Sequence, residues 1–274
     1  MQGDQLDLLG ALPVSATQLD SSDALLQLLD DWLANGWLRA LDRAFAGFLL
    51  EQAPETSPAV LLAAALVSHQ LGHGHVCLDL ATTLAEPDFA LSLPPEGESL
   101  IDTPLPSAVL AGVTLDSWRA ALQASRVVDS QQPEQGSCPL VLIGSRLYLR
   151  RYWQYERQVV EGLRARLQPM PVSDDLPSRL QALFADSQQQ PDWQLIACAL
   201  AARGRFSIIT GGPGTGKTTT VVRLLALLQT PAVERGQALR IRLAAPTGKA
   251  AARLTESIGK QVGQLPVDDA VKDA

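Results

Sequence analysis

The stretch Ile208-Ile209-Thr210-Gly211-Gly212-Pro213-Gly214-Thr215-Gly216-Lys217-Thr218 decides the fold of the C-terminal part of this chain. An apolar pair leads into a glycine-rich loop that ends in Gly-Lys-Thr, and the apolar run 221–225 that follows is typical of a helix. This order matches the pattern G-x-x-x-x-G-K-[ST], with the expected strand before it and helix after it. The sequence therefore predicts a phosphate-binding P-loop.

The residue types of this loop suit a nucleoside triphosphate. Glycines adopt backbone angles closed to other residues, so successive N–H groups can turn toward an oxyanion, and the following helix adds its positive end. We expect Lys217 to reach the β- and γ-phosphates of ATP and the Thr218 hydroxyl to coordinate Mg²⁺, which makes these two the predicted catalytic residues. The predicted ATP-binding residues of the loop are Gly211, Gly212, Pro213, Gly214, Thr215, Gly216, Lys217, Thr218 and Thr219.

A second candidate anion site follows the next apolar run. Phe206–Thr210 and Leu239–Ala244 are predicted strands, and Thr247 is the predicted N-cap of a helix through about residue 258. Strand, loop, helix, strand and helix in this order predict a parallel α/β arrangement with right-handed crossovers. Lys249, one of only 4 lysines, lies in the first turn of that helix. It could bind an anion there or be an exposed residue without a ligand.

The N-terminal part has the spacing of helices and of one β-hairpin. Helices are predicted over residues 23–33, 38–53, 57–71, 76–84 and 116–125. The second is expected to bury the face formed by Leu38, Leu41, Phe45, Phe48 and Leu49. Pro139–Ile143 and Leu147–Leu149 predict two strands joined by a two-residue turn at Gly144-Ser145. Five prolines within residues 86–106 predict an extended loop.

The run Arg150-Arg151-Tyr152-Trp153 opens a further predicted helix, which ends near Leu167. Arginine beside aromatic rings can stack on nucleic-acid bases, but we favour the interpretation of the run as a solvated helix face with packed Tyr152 and Trp153. Residues 169–177 have the composition of a linker. The predicted fold class is therefore α plus α/β: a helical domain over residues 1–168, with a hairpin near 139–149, and an incomplete P-loop domain over residues 169–274. Helices are predicted in the second domain over residues 176–185 and 192–202.

Composition excludes several classes of protein. The chain has 274 residues, of which 46% are hydrophobic and 19% charged, as in ordinary globular proteins. Its longest apolar run, residues 59–67, is far shorter than the roughly 20 residues that span a bilayer. No Lys or Arg precedes Arg39, so a signal-peptide n-region is missing, and three scattered cysteines offer no disulfide framework. We expect a cytoplasmic protein without membrane contact.

Charge is distributed unevenly along the chain. The formal net charge is −7, but residues 1–100 carry 14 acids against only Arg39 and Arg43, a net charge of −12. Such a segment repels a phosphate backbone, because affinity for nucleic acid depends largely on Lys and Arg. We therefore expect the N-terminal part to face a protein partner or solvent.

Two motifs together resemble superfamily 1 DNA helicases. Gly-Gly-Pro-Gly-Thr-Gly-Lys-Thr-Thr-Thr at residues 211–220 is similar to motif I, and Ala-Ala-Pro-Thr-Gly-Lys-Ala-Ala-Ala-Arg-Leu at residues 244–254 is similar to motif Ia. Leu147–Trp153 with Glu156, and Gly74–Leu78, narrow the resemblance to the RecD family, the α subunits of exonuclease V in RecBCD complexes. It covers nearly all of the chain from the acidic helical region onward.

The resemblance implies a 5′-to-3′ ATP-dependent DNA helicase subunit, within a nuclease–helicase that processes double-strand ends in repair and recombination. It implies a RecA-like motor and an N-terminal domain that docks on RecB-like and RecC-like subunits. Gln194 matches the glutamine that hydrogen-bonds the adenine edge, although it could be an ordinary polar residue in a first helical turn. Thr247 and Lys249 match positions that line the path of single-stranded DNA.

Parts of a complete phosphoryl-transfer site have no match in the sequence. Such a site needs a Walker B acid on an apolar strand and a residue that positions the attacking water. None of the acidic residues after Lys217 lies on an apolar run. These residues are Glu234, Glu256, Asp268, Asp269 and Asp273. We therefore expect the N-terminal portion of a longer helicase, catalytically incomplete by itself. The alternatives are another P-loop NTPase, such as a ring-forming AAA+ protein, and an interaction module that acts only through residues 1–168.

Overall fold

The computed structural model describes residues 17–97, 103–168, 170–185 and 191–274 of the chain. The chain divides into two compact units, Met1–Gln158 and Val159–Ala274. The boundary after residue 168 stays a prediction, and Pro169 of the predicted linker lies outside the described residues. Among the residues that are described, no helix combines the length and the apolar character needed to cross a membrane.

The first unit is mainly helical and contains a small mixed sheet. Its helices are α1 (Ser22–Ala34), α2 (Ala40–Gln52), α3 (Pro58–Gly72), α4 (Leu80–Ala85), α5 (Pro87–Leu91), α6 (Pro106–Val109), α7 (Leu115–Ala124) and the first part of α8 (Arg150–Arg166). Its strands are β1 (Leu78–Asp79), β2 (Val128–Asp129), β3 (Leu140–Ile143) and β4 (Arg146–Leu149). They lie in the order β1-β4-β3-β2, with β2 parallel to β3 and the other pairs antiparallel.

Helix α3 is the centre of the first core, because every residue from Val60 to Gln70 is buried. The indole N–H groups of two buried tryptophans donate hydrogen bonds to backbone carbonyl groups. The Trp118 Nε1–H donates to the Ala59 carbonyl oxygen at 2.9 Å, and the Trp32 Nε1–H donates to that of Pro104 at 2.9 Å. The first bond joins α7 to the start of α3, and the second joins α1 to the segment before α6.

The predicted hairpin is confirmed. Strands β3 and β4 pair with Leu142 opposite Leu147, and the turn at Gly144-Ser145 has Gly144 at φ +62°. The helix predicted over residues 76–84 is only partly right, since Leu78 and Asp79 form β1 beside β4 and the helix begins at Leu80. Asp79 sets this start because its carboxylate accepts hydrogen bonds from the N–H groups of residues 81 and 82.

The buried face predicted for α2 is partly wrong. Leu38 and Leu49 are buried, but Leu41 and Phe48 are 65% and 52% exposed. The helix instead turns Asp42 into the core, where its carboxylate accepts hydrogen bonds from Arg39 Nη2 and Ser68 Oγ, each at 2.7 Å. A charged residue outside the predicted apolar face is thus buried, so the buried side of the helix differs from the predicted one.

The predicted loop over residues 86–106 is wrong at both ends. Pro87 begins α5 and Pro106 begins α6, because proline at the first helical position lacks only an N–H that would be unpaired anyway. Residues 98–102 of this stretch lie outside the described residues.

The second unit contains helices in the predicted places and one further short helix near residue 270 that was not predicted. They are α9 (Leu176–Leu183), α10 (Trp193–Ala201), α11 (Lys217–Glu234), α12 (Gly248–Val262) and the short α13 (Asp269–Lys272). Thr247 caps α12 as predicted, with its hydroxyl accepting from the Ala250 N–H at 3.3 Å. The core of this unit joins α9, α10 and α11 through Leu180, Leu183, Phe184, Cys198, Ala226 and Leu227.

The two strands predicted in this unit are not formed. Within the described residues, Phe206–Thr210 and Leu239–Ala244 pair with no neighbour, and Ile208 is 75% exposed. A strand exists only through a hydrogen-bonded neighbour, and no strand pairing is formed by either run within the described residues. The second run is nevertheless anchored, since the buried Gln229 side chain accepts from the Leu239 N–H at 2.8 Å.

We predict that Asp42→Asn destabilises the first unit by about 2 kcal/mol at pH 7, because it weakens charged hydrogen bonds inside the core. Burial disfavours the Asp42 carboxylate, but the bonds from Arg39 and Ser68 outweigh this and hold its pKa below the usual value. Because the pKa of Asp42 is lower in the folded than in the unfolded state, its ionised form stabilises the fold at pH values above the unfolded pKa of about 3.9. This stabilisation is lost as the pH falls further. Urea unfolding should therefore show a smaller difference between variant and parent at pH 3.

Asp30→Asn is the matched control, because Asp30 pairs with Arg43 at 2.7 Å on the half-exposed side of α1. That ion pair should contribute less than about 1 kcal/mol to the free energy of unfolding. Equal losses in the two variants would contradict the role given to Asp42.

Candidate nucleotide and nucleic acid site

Two glycines of the loop adopt the backbone that the sequence predicts, whereas Gly211 is not in the left-handed region. Gly214 and Gly216 have φ values of +75° and +79°, in the left-handed region that favours glycine, and α11 begins directly afterwards at Lys217. The Thr215 hydroxyl donates to the Gly212 carbonyl oxygen at 2.9 Å and holds the loop closed. A loop of this shape before a helix N-terminus can receive a phosphate on its N–H groups.

Lys217 folds back onto its own loop. Its Nζ donates to the carbonyl oxygens of Gly211 at 2.6 Å and Gly212 at 2.5 Å. The ammonium group thus lies beside the loop that the sequence assigns to the phosphates. A phosphate oxygen carries more negative charge than a carbonyl and can take over these bonds.

Gln194 contacts the same loop from α10. Its Nε2 donates to the Thr215 carbonyl oxygen at 3.3 Å. At Gly216 the left-handed φ favours glycine, and an added Cβ would in addition displace the Gln194 amide nitrogen. The position of Gln194 is itself fixed, because the Asp192 carboxylate caps α10 by accepting from the Leu195 N–H at 3.0 Å.

The first turn of α11 is anchored from behind by two further bonds. Thr220 Oγ1 donates to the Gly216 carbonyl oxygen at 3.1 Å, and Cys198 Sγ donates to the Thr220 carbonyl oxygen at 3.3 Å. Burial raises the pKa of the Cys198 thiol to about 11, so it remains protonated at neutral pH. Cys198 therefore has a packing role and is no nucleophile.

A shallow depression brings the two sequence motifs together. Thr218 from the loop motif lines it beside Thr247 and Lys249 from the second motif. The remaining lining residues are Ala250, Arg253, Leu254 and Ser257. Thr219 is not among them and faces a separate cavity that contains Arg223.

Two arginines of this unit, Arg253 and Arg179, were given no role in the sequence analysis. Arg253 lies one turn after Lys249, and its i, i+4 spacing was the signal that could have found it. Arg179 of α9 forms a bidentate pair with Glu234 at 2.8 and 2.6 Å and contacts Asp175 at 2.6 Å. This cluster ties α9 to the end of α11, so Glu234 is occupied structurally.

The Arg-aromatic run at the start of α8 is largely packed. Arg150 forms an ion pair with Asp129 and donates to the Pro133 carbonyl oxygen at 2.8 Å, which organises the loop before β3. Trp153 is buried beside Tyr148. The interpretation as a packed helix face is thus confirmed for Trp153, whereas Tyr155 remains exposed beside Arg151.

Comparisons with known proteins found matches to both parts of the chain. Residues 34–148 match the family model described as the N-terminal domain of RecBCD enzyme subunit RecD, and residues 194–267 match that of an AAA domain. The chain is 36% identical over 214 residues to RecBCD enzyme subunit RecD of Haemophilus influenzae, covering 77% of this chain and 32% of the relative.

Two further relatives have the same or a related name. Identity is 39% over 215 residues to RecBCD enzyme subunit RecD of Mycolicibacterium smegmatis, covering 78% of this chain and 33% of that protein. Identity is 30% over 146 residues to an ATP-dependent RecD2 DNA helicase of Deinococcus radiodurans, covering 51% of this chain and 19% of that protein. The chain thus spans about a third of the length of the first two of these relatives.

We predict that Gly216→Ala costs more stability than Gly214→Ala. Each substitution replaces a left-handed glycine and should lower the free energy of unfolding by about 1 to 2 kcal/mol. Only at Gly216 is the space that a Cβ would need occupied by a neighbouring side chain, that of Gln194. Gln194 must move away and lose its bond to Thr215, which adds about 1 kcal/mol. Chemical unfolding of both variants measures the difference.

The double variant Gln194→Ala, Gly216→Ala tests the cause. Once Gly216→Ala has displaced Gln194, removing that side chain should cost nothing more, so the two substitutions should be non-additive. Additive losses would show that Gln194 and Gly216 act independently.

Proposed function

We propose that this chain, which carries a RecD N-terminal domain followed by an AAA domain, is the N-terminal part of an ATP-dependent DNA helicase subunit. The complete protein would move 5′ to 3′ on single-stranded DNA within a RecBCD-type nuclease–helicase, exonuclease V. Its role would be to process double-strand ends in repair and recombination. The RecD names of relatives over more than three quarters of this chain support the assignment.

The depression shared by Thr218, Thr247 and Lys249 is the observation that carries this proposal. A helicase must couple a nucleotide to a nucleic acid, and this surface lies between the first residues of the P-loop helix and the start of α12. The RecD-type match over residues 34–148 disfavours the alternative of an unrelated ring-forming P-loop ATPase. The RecA-like arrangement of the complete motor remains part of the proposal.

The residues present fit a magnesium-bound nucleotide. Gly211 to Thr219 would surround the phosphates, Lys217 would exchange its two carbonyl partners for phosphate oxygens, and Gln194 would bond the adenine edge. Thr218 offers a hydroxyl oxygen, the hard type of ligand that Mg²⁺ prefers. When bound, Mg²⁺ neutralises charge that develops on the phosphates.

The first unit is proposed to dock on RecB-like and RecC-like subunits. Its acidic sequence and the exposed Leu41 and Phe48 on α2 suit a protein surface better than a phosphate backbone. A narrower alternative is that the chain contributes only this docking and turns over no ATP. Co-expression with the two partner subunits would separate these cases, since docking alone predicts a complex whose ATPase is insensitive to substitutions in the P-loop.

We predict that Lys217→Ala in the full-length protein lowers ATP turnover about a thousandfold. Removing a unit charge ~4 Å from phosphate at an effective dielectric near 20 costs about 4 kcal/mol, and each 1.4 kcal/mol is a factor of ten. Steady-state ATPase assays measure the loss, with Lys260→Ala as the control because Lys260 pairs with Glu256 at 2.6 Å. Unchanged turnover in Lys217→Ala would end the P-loop assignment.

We predict that Lys249→Ala in the same protein weakens binding of single-stranded DNA. Each lost phosphate contact should flatten the slope of log affinity against log salt by about 0.7. Fluorescence anisotropy with a labelled oligothymidylate at several salt concentrations gives the slope. If it equals that of the parent, Lys249 is an exposed residue at a helix start and no DNA ligand.

A further inference from the structure

A groove of about 1170 Å³ lies beside α5 in the first unit. The buried side chains of Trp37, Leu38 and Leu93 form its floor. Phe89 of α5 lines the same groove and is 83% exposed, the largest fraction among the exposed large hydrophobic residues of the described chain. An aromatic ring left in water beside an apolar depression is typical of a surface that binds another protein.

The wall of the groove that α5 and the following segment provide is acidic. Residues 44–118 contain nine Asp or Glu and no Lys or Arg, which is a net charge of −9. Two of these acids, Asp88 and Glu96, line the groove, and neither forms an ion pair with the described residues. Asp88 accepts hydrogen bonds from the Ser107 N–H at 2.8 Å and the Ser107 hydroxyl at 2.7 Å, but these uncharged donors leave its charge in place.

The basic residues of the groove do not cancel this charge. Arg39 lines it, but its guanidinium group already pairs with the buried Asp42 carboxylate at 2.7 Å. The three histidines of the chain also line the groove: His69 is buried, whereas His73 and His75 are exposed. Burial lowers the pKa of His69, so its ring is neutral at pH 7. With the histidines counted as neutral, the groove has a formal net charge of −2 once Arg39 is paired with Asp42.

These charges decide between the possible occupants of the groove. A nucleic acid would bring its phosphates against Asp88 and Glu96, which is unfavourable. A second copy of this unit would bring another acidic surface, since residues 1–100 have a net charge of −12. A peptide segment with an apolar side chain flanked by Lys or Arg fits both the floor and the charge. Its cation could in addition lie over the exposed ring of Phe89.

We infer that the groove beside α5 is the surface through which the first unit docks, and that it receives an apolar segment flanked by Lys or Arg from a partner subunit. The inference rests on the proposed function, whose docking role it narrows to one surface and one partner chemistry. It assigns docking to this groove and not to the exposed face of α2. That face carries Leu41 and Phe48, and neither residue lines the groove.

The test measures the dissociation constant between the full-length protein and the co-purified RecB-like and RecC-like subunits. The groove variants are Phe89→Ala and Glu96→Lys. The matched controls on α2 are Phe48→Ala and Glu51→Lys, because both residues are exposed and lie outside the groove. All four side chains are exposed, so circular dichroism should show the parent's fold in every variant.

The inference predicts that Phe89→Ala weakens binding about tenfold or more, because the variant loses a central aromatic contact. Glu96→Lys should weaken binding several-fold at low salt, because it places a cation beside the cation of the partner segment. This loss should shrink at high salt, since Glu96 is exposed and its charge is screened. Phe48→Ala and Glu51→Lys should bind like the parent.

Groove variants that bind like the parent would overturn the inference. If the α2 variants weaken binding as much as the groove variants or more, the docking role stands but the groove is not its surface. Tighter binding by Glu96→Lys would contradict a cationic segment and overturn the inference as well. If the parent protein binds neither subunit, the docking role in the proposed function fails and the inference falls with it.

Discussion

The second unit depends on the close approach of the Gln194 amide to the backbone at Gly216. A side chain at Gly216 would displace the Gln194 amide, and the left-handed φ of Gly216 lets α11 begin at the next residue. This contact joins three parts: the first turn of α10, the glycine-rich loop, and the helix that carries Lys217 and Thr218.

The first unit is organised by a different constraint, a carboxylate inside the core. Asp42 is fully buried and is satisfied by Arg39 and Ser68, so the outer face of α2 is set by a polar bond and not by the apolar spacing. The same arrangement leaves Leu41 and Phe48 on the surface. A unit with an acidic sequence and exposed apolar side chains suits a protein partner, whereas the cations of α12 in the second unit suit phosphate.

Sequence alone predicted the elements that carry strong local signals. The left-handed glycines before α11, the hairpin turn at Gly144-Ser145 and the cap of α12 at Thr247 depend on backbone chemistry within a few residues, and all three are found. What failed depends on distant partners. Leu239–Ala244 has the pattern of a strand but pairs with no neighbour among the described residues. The helix predicted from residue 76 begins later, because Leu78 pairs with Leu147 in the sheet.

The central claim is that the P-loop belongs to a motor driven along single-stranded DNA. The most direct measurement is the steady-state ATP turnover of the full-length protein with and without a long oligothymidylate. The account predicts slow turnover alone and a large increase when the oligonucleotide is added, because the two motifs share one depression. Turnover that is equally fast without nucleic acid would contradict the account and indicate a P-loop ATPase of another kind.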